Sequence, residues 1–254
     1  MTATVTAAVA LLVAAACSTP TGKGLPPAAA PTGPAITYVA VGASETTGFG
    51  ADQPLRNGWP QVLDRTALPP TAVFVNMGIP GATVASAIKD ELPQALTVKP
   101  TLATVWLNVN DIIAGVSADD YERDLTSLVH GLRGAGATRV LVANVPPLDD
   151  LPAYQACRAA ITGGGRCRFG SAVPAPDALD ATVDAYNSAT ARVAQREGAF
   201  LVDLHAVGLA ARQAGTEASL VSGDGFHPST AGHAAVAKAF ADVLAHSGPL
   251  IPTG

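Results

Sequence analysis

The run Ile36-Thr37-Tyr38-Val39-Ala40-Val41, followed at once by Gly42-Ala43-Ser44-Glu45-Thr46-Thr47-Gly48, sets the architecture of this chain. A strand with one wet face alternates apolar and polar residues. A near-continuous apolar run lacks that alternation and reads as a parallel strand covered on both faces. Four more such runs follow, at Ala72–Asn76, Thr101–Leu107, Arg139–Ala143 and Ala199–Val202. Helical patterns lie between and after them. They cover Trp59–Leu68, Ala82–Leu96 with Pro93 as a possible break, Ala118–Arg133, Asp177–Glu197 and Thr230–Ala245. Ser117 stands where the third of these needs an N-cap, with acids in its first turn. The alternation predicts an α/β fold: a three-layer, doubly wound sandwich around a five-stranded parallel sheet. The stretch Asn144–Pro176 is long, rich in Pro and Gly and without periodicity. It is predicted to be a surface insertion that lines the functional site. In such a sheet ligands bind beyond the carboxyl ends of the strands, so chemistry is sought just after each one.

Composition narrows the function classes. Of 254 residues, 48% are hydrophobic and 14% charged, which excludes a disordered chain. A net charge of −5 leaves no basic surplus for phosphates, and 5% aromatics make no stacking platform for bases. Nucleic acid is therefore not an expected partner. The apolar run Val5–Ala16 is too short to span a membrane and fits a signal-peptide core over residues 1–16. Its end, Ala14-Ala15-Ala16-Cys17, resembles a bacterial lipoprotein signal, in which Cys17 would carry the lipid. No Lys or Arg precedes Lys23, and Ala14 stands where Leu is usual. Residues 17–35 read as a flexible Pro-, Gly- and Thr-rich tether ahead of a domain over 36–250. The expected location is outside the cell, lipid-anchored on the outer side of a bacterial membrane or else secreted. In an oxidising compartment Cys157 and Cys167 read as a disulfide, contributing roughly 2–3 kcal/mol by chain entropy. They lack the close Cys or His partners of a zinc motif, so no metal is expected.

The strand ends carry the candidate chemistry. After the first strand, Ser44 lies in a turn between Gly42 and Gly48, placed to be an exposed nucleophile or simply to cap a turn. The G-x-S-x-G elbow pattern fails because Thr46 stands at its second Gly. After the second strand, Asn76-Met77-Gly78-Ile79-Pro80-Gly81 offers backbone N–H groups to an anion or oxyanion, or is an ordinary βα turn. After the third, Asn108-Val109-Asn110-Asp111 offers amide donors, or caps a turn. Near the C-terminus, Asp224-Gly225-Phe226-His227-Pro228 puts a carboxylate three residues before a histidine, where it can hold Nδ1–H and leave Nε2 as a base. His205, beside Asp203 after the last strand, is the rival and reads as a strand-end turn. His130, His233 and His246 sit in helical patterns and are expected to be solvated.

In order and placement these segments resemble the SGNH hydrolases, the GDSL-type esterases and lipases, from about Ile36 to the C-terminus. The resemblance implies that family's flavodoxin-like strand order. It implies Ser44 as nucleophile and Asp224 and His227 as its acid–base pair. It implies an oxyanion hole from the backbone of Ser44, from Gly81 with Gly78 as the lesser candidate, and from the Asn110 side chain. Ala43 and Asn108 depart from the family pattern, where Asp and Gly are usual. The activity implied is hydrolysis of a carboxylic ester through an acyl-enzyme, with a small ester or acylated glycan as partner and no cofactor. Acyl transfer from the same intermediate, and a non-catalytic glycan- or lipid-binding lipoprotein, are the alternatives. Small residues beside Ser44 (Ala43, Thr46, Thr47 and Gly48) suit a short or acetyl acyl group, and no long amphipathic lid is evident.

Overall fold

The computed structural model describes residues 36–164, 167 and 173–250. The signal segment, the tether and Cys17 lie outside them. Strands β1 (Thr37–Gly42), β2 (Val73–Asn76), β3 (Leu102–Trp106), β4 (Arg139–Ala143) and β5 (Phe200–Val202) form one sheet in the order β2-β1-β3-β4-β5. Every pairing is parallel, with Tyr38 opposite Phe74 and Leu102, Leu102 opposite Arg139, and Leu141 opposite Phe200. This is the predicted doubly wound, flavodoxin-like order. The chain runs from β1 outward to β2, then returns to the other side of β1 for β3, so the switch point lies between β1 and β3.

The side-chain alternation of a strand explains why these runs are apolar throughout. Val39, Val41, Ala103, Val105, Val140 and Val142 face one core. Helices α3 (Val84–Asp90), α4 (Leu92–Thr97), α6 (Ala118–Arg133) and α8 (Pro176–Glu197) close that face. Tyr38, Ala40, Leu102, Trp106, Leu141 and Ala143 face the other core. It is closed chiefly by α2 (Trp59–Ala67) and α11 (Thr230–His246), where Trp59 stacks on Phe240 at 4.4 Å. Short helices α1 (Pro54–Asn57) and α5 (Val109–Ile113) follow the ends of β1 and β3.

The break expected at Pro93 is there: α3 and α4 meet at Glu91, and Pro93 stands in the first turn of the second. Two other expectations are corrected. The 144–176 stretch is not wholly irregular: it holds α7 (Pro152–Thr162), with Pro152 at its start and Ala153 and Cys157 buried. The Asp203–His205 turn is the start of α9 (Leu204–Gln213), which leads to α10 (Glu217–Leu220). Asp203 caps α9 by accepting from Ala206 N–H at 2.9 Å. The Cys157–Cys167 disulfide is present. The insertion is also tied down by Arg212 of α9, which pairs with Asp149 at 2.9 Å and Glu217 at 2.9 Å. Among the described residues no helix is long and apolar enough to cross a membrane.

Candidate active site

Ser44 is delivered by a turn that closes directly behind β1. Thr46 and Thr47 N–H donate to Ala43 C=O at 3.1 and 3.2 Å, and Phe49 N–H to Ser44 C=O at 3.0 Å. Only glycine fits at position 42, since a Cβ there would lie 2.0 Å from Thr46 Oγ1 and 2.9 Å from Trp106 C=O. Asn76, at the end of β2, locks this turn to the next loop. Its Nδ2 donates to Thr46 C=O at 2.7 Å while its Oδ1 accepts from Gly78 N–H at 3.0 Å. The Gly78 N–H is thereby committed. Gly81 has φ +84° and open space at its Cβ position, and among the described residues neither its N–H nor that of Ser44 has an acceptor. Gly81 is thus the better of the two candidate donors.

Two side chains of α5 clamp the same loop. Asn110 Nδ2 donates to Ala82 C=O at 3.0 Å. The buried Asp111 carboxylate accepts from Val84 N–H at 3.2 Å through both oxygens. Burial pushes Asp111 up to about 6, against the pull of the Val84 N–H. Asn108 turns away from this loop: its Nδ2 points to Ala143 C=O at 3.4 Å, and its buried Oδ1 has no partner among the described residues. It adds no donor at Ser44.

Asp224 and His227 lie on a loop closed by the bridge of Val221 with Pro228. Asp224 Oδ1 accepts from Ser222 Oγ at 2.7 Å and from Phe226 and His227 N–H at 2.8 and 2.9 Å. Its Oδ2 meets His227 Nδ1 at 2.5 Å, and His227 Nε2 lies 2.9 Å from Ser44 Oγ. Burial alone would raise the Asp224 carboxyl. The hydrogen bonds from His227, Ser222 and the loop backbone outweigh it and hold the group well below the usual carboxylate range. So the structure joins Ser44, His227 and Asp224 in one hydrogen-bonded chain, across 183 residues of sequence between Ser44 and His227.

The other histidines are accounted for. His205 Nδ1 lies 3.2 Å from Val145 C=O, and its N–H donates to Asn144 Oδ1 at 3.0 Å, a strand-end role. His130 and His246 are exposed as expected. His233 is not: it is fully buried. Its Nδ1 accepts from Trp59 N–H at 3.2 Å and its Nε2 meets Phe49 C=O at 2.8 Å, an arrangement that needs the neutral ring with its proton on Nε2. Burial holds its pKa down, in accord with that form. Its lone position in a helix gave no sign of these partners. Glu45 and Glu91 are two further buried acids that the sequence reading passed over. Glu91 Oε2 accepts from Gly42 N–H at 2.9 Å, its Oε1 has no partner among the described residues, and burial pushes the group up to about 8.

Beside His227 and Asn110 opens an apolar cavity of about 130 Å³, walled by Trp106, Pro147, Leu148, Leu204, Val207 and Val236. The insertion does line it. Ala43, Thr46, Thr47 and Gly48 are not among its lining residues.

This hydrogen-bonded arrangement lies at the carboxyl ends of the strands of a flavodoxin-like sheet. The sequence profile of the GDSL-like lipase/acylhydrolase family matches residues 40–235, and the chain belongs to that family of carboxylic ester hydrolases. None of the curated proteins matches the sequence. Solved structures with the same fold include a lipase/acylhydrolase from Enterococcus faecalis (TM-score 0.63, 16% identity, covering 86% of this chain and 100% of that one). TesA is similar at a TM-score of 0.61 and 21% identity, over 85% of this chain and 99% of its own. The psychrotrophic esterase EstA from Pseudoalteromonas sp., in a structure inhibited by monoethylphosphonate, gives a TM-score of 0.57 at 16% identity, over 83% and 97%.

Proposed function

We propose that the protein is a serine esterase with Ser44 as nucleophile, His227 as general base and Asp224 as its partner. The observation that carries this is the continuous chain from Asp224 Oδ2 through the His227 ring to Ser44 Oγ. Ser44 Oγ bonds to the ester carbonyl carbon while its proton passes to His227 Nε2. The carbonyl π pair moves onto oxygen, where the N–H groups of Ser44 and Gly81 and the Asn110 amide receive it. His227 then protonates the leaving alkoxide. It next deprotonates the water that releases the acid. Asp224, kept ionised by its hydrogen bonds, holds the ring and favours its cationic form.

The acyl group is assigned to the apolar cavity beside His227. An apolar cavity of about 150 Å³ takes benzene, so about 130 Å³ fits roughly four to six carbons. Butanoyl and hexanoyl esters should therefore turn over faster than acetyl or decanoyl ones. Labelling with a fluorophosphonate tests the nucleophile: Ser44 should be the labelled residue, and Ser44→Ala should abolish labelling in a folded protein. No labelling of the folded wild type would overturn the esterase reading and favour a binding role. Export and lipidation at Cys17 belong to the same proposal. Incorporation of radiolabelled palmitate in a bacterial host, lost in Cys17→Ala, is the result expected.

A further inference from the structure

Glu45 directly follows the nucleophile, is 8% exposed and lines the acyl cavity with His227 and Asn110. Ser44 Oγ has two acceptors within reach, Glu45 Oε2 at 3.2 Å and His227 Nε2 at 2.9 Å. A serine hydroxyl has one proton to give. Only the pose toward His227 starts the reaction, so the two acceptors compete. The charged groups around Glu45 are few. His227 faces it from the loop before α11, with Asp224 behind that ring, and Glu91 faces it from the junction of α3 and α4. No Lys or Arg among the described residues acts on it.

We propose that Glu45 is a positioning residue, and that the protonation state of its carboxyl decides which way the Ser44 proton points. An ionised Glu45 accepts the Ser44 proton and draws it away from His227. A protonated Glu45 donates its own O–H to Ser44 Oγ and leaves the serine proton to Nε2. The change between these states is loss of one proton from Glu45 to water, with no bond made or broken elsewhere. Burial favours the protonated form, and the Glu45 backbone, His227 and Ser44 oppose it. A charged acceptor outcompetes a neutral one for a shared donor by roughly three- to tenfold.

The inference rests on the Ser44–His227 reading, and the test separates the two. The rate of fluorophosphonate labelling at Ser44 is measured from acid to alkaline pH on the full chain, as wild type, Glu45→Gln and Glu45→Ala. Gln at this position stays neutral at every pH, as a protonated Glu45 is, so the ratio of its rate to that of wild type should start near unity in acid. It should climb by roughly three- to tenfold along a single titration curve. Glu45→Ala, which removes both donor and acceptor, should climb by the same curve from a lower start. It carries the test if the Gln variant does not fold. A ratio independent of pH, with Ser44 labelled throughout, overturns the role of Glu45 and leaves the triad standing. Label that persists in Ser44→Ala overturns the triad itself.

Discussion

The turn that carries Ser44 and the loop that carries Asp224 and His227 meet at one hydrogen bond, but they are held in different ways. The Asp224 loop is nearly self-sufficient. Its carboxylate gathers Ser222 Oγ and two backbone N–H groups, all within three residues. The Ser44 turn depends on its surroundings: Trp106 C=O crowds Gly42, Asn76 grips Thr46, and Glu91 receives Gly42 N–H. At Gly50, with φ +90°, a Cβ would lie 2.3 Å from Pro228 C=O, so the two segments pass in direct backbone contact. Local chemistry thus orients His227, while tertiary packing aims Ser44 at it.

Changes on each side should show that difference. On the local side, Asp224→Asn should give the largest loss, about 10⁴-fold in kcat, because the imidazole loses the acceptor that sets its tautomer. Steady-state kinetics on a butanoyl ester would measure it, with circular dichroism unchanged. On the tertiary side, Asn110→Ala should lower kcat by about 10²–10³, roughly 3–4 kcal/mol of transition-state stabilisation, with KM little altered. Turnover within tenfold of wild type would remove Asn110 from the oxyanion hole.

His233→Ala cuts the link between the Ser44 turn and α11 without touching the Asp224 loop. It leaves the buried Trp59 N–H and the half-buried Phe49 C=O without this partner and opens a cavity. A loss of about 3 kcal/mol in urea unfolding is expected. The smallest effect is a gain. Glu91 titrates near 8 in the folded protein against an ordinary 4.5, so the native state keeps a proton that the unfolded chain has lost at neutral pH. Its penalty is absent below 4.5 and grows as the pH rises toward 8. Glu91→Gln fixes the neutral form and should raise stability by about 2 kcal/mol near neutral pH, flattening the pH dependence over that window. An unchanged melting-temperature profile would show that burial does not raise the Glu91 carboxyl.

The sheet was legible because its central strands β1, β3 and β4 are buried on both faces, so the apolar runs mark them within about a residue of Thr37–Gly42 and Leu102–Trp106. Helix α6 was legible to both ends because Ser117 caps it and Gly134 ends it in a left-handed turn. Helix α7 was not: only Ala153 and Cys157 of its residues are buried, which leaves too thin an apolar stripe to register. His233 and Glu45 were missed for a different reason. A polar residue declares a buried role only through its surroundings: the partners of His233 lie in distant segments, and Glu45 is enclosed by His227 and Glu91 from other loops.

The sequence by itself determined the strand set, the parallel α/β class and the Asp224–His227 pair. These depend on apolar periodicity and on contacts within a few residues. Only the tertiary structure decided that Asn108 turns toward Ala143 and that Glu45 and His227 both lie within reach of the Ser44 hydroxyl. Each of those outcomes is settled by which donors and acceptors meet when β1, β2, β3 and the loop before α11 converge. Hydrogen bonding between residues far apart in the chain leaves no periodic trace in it.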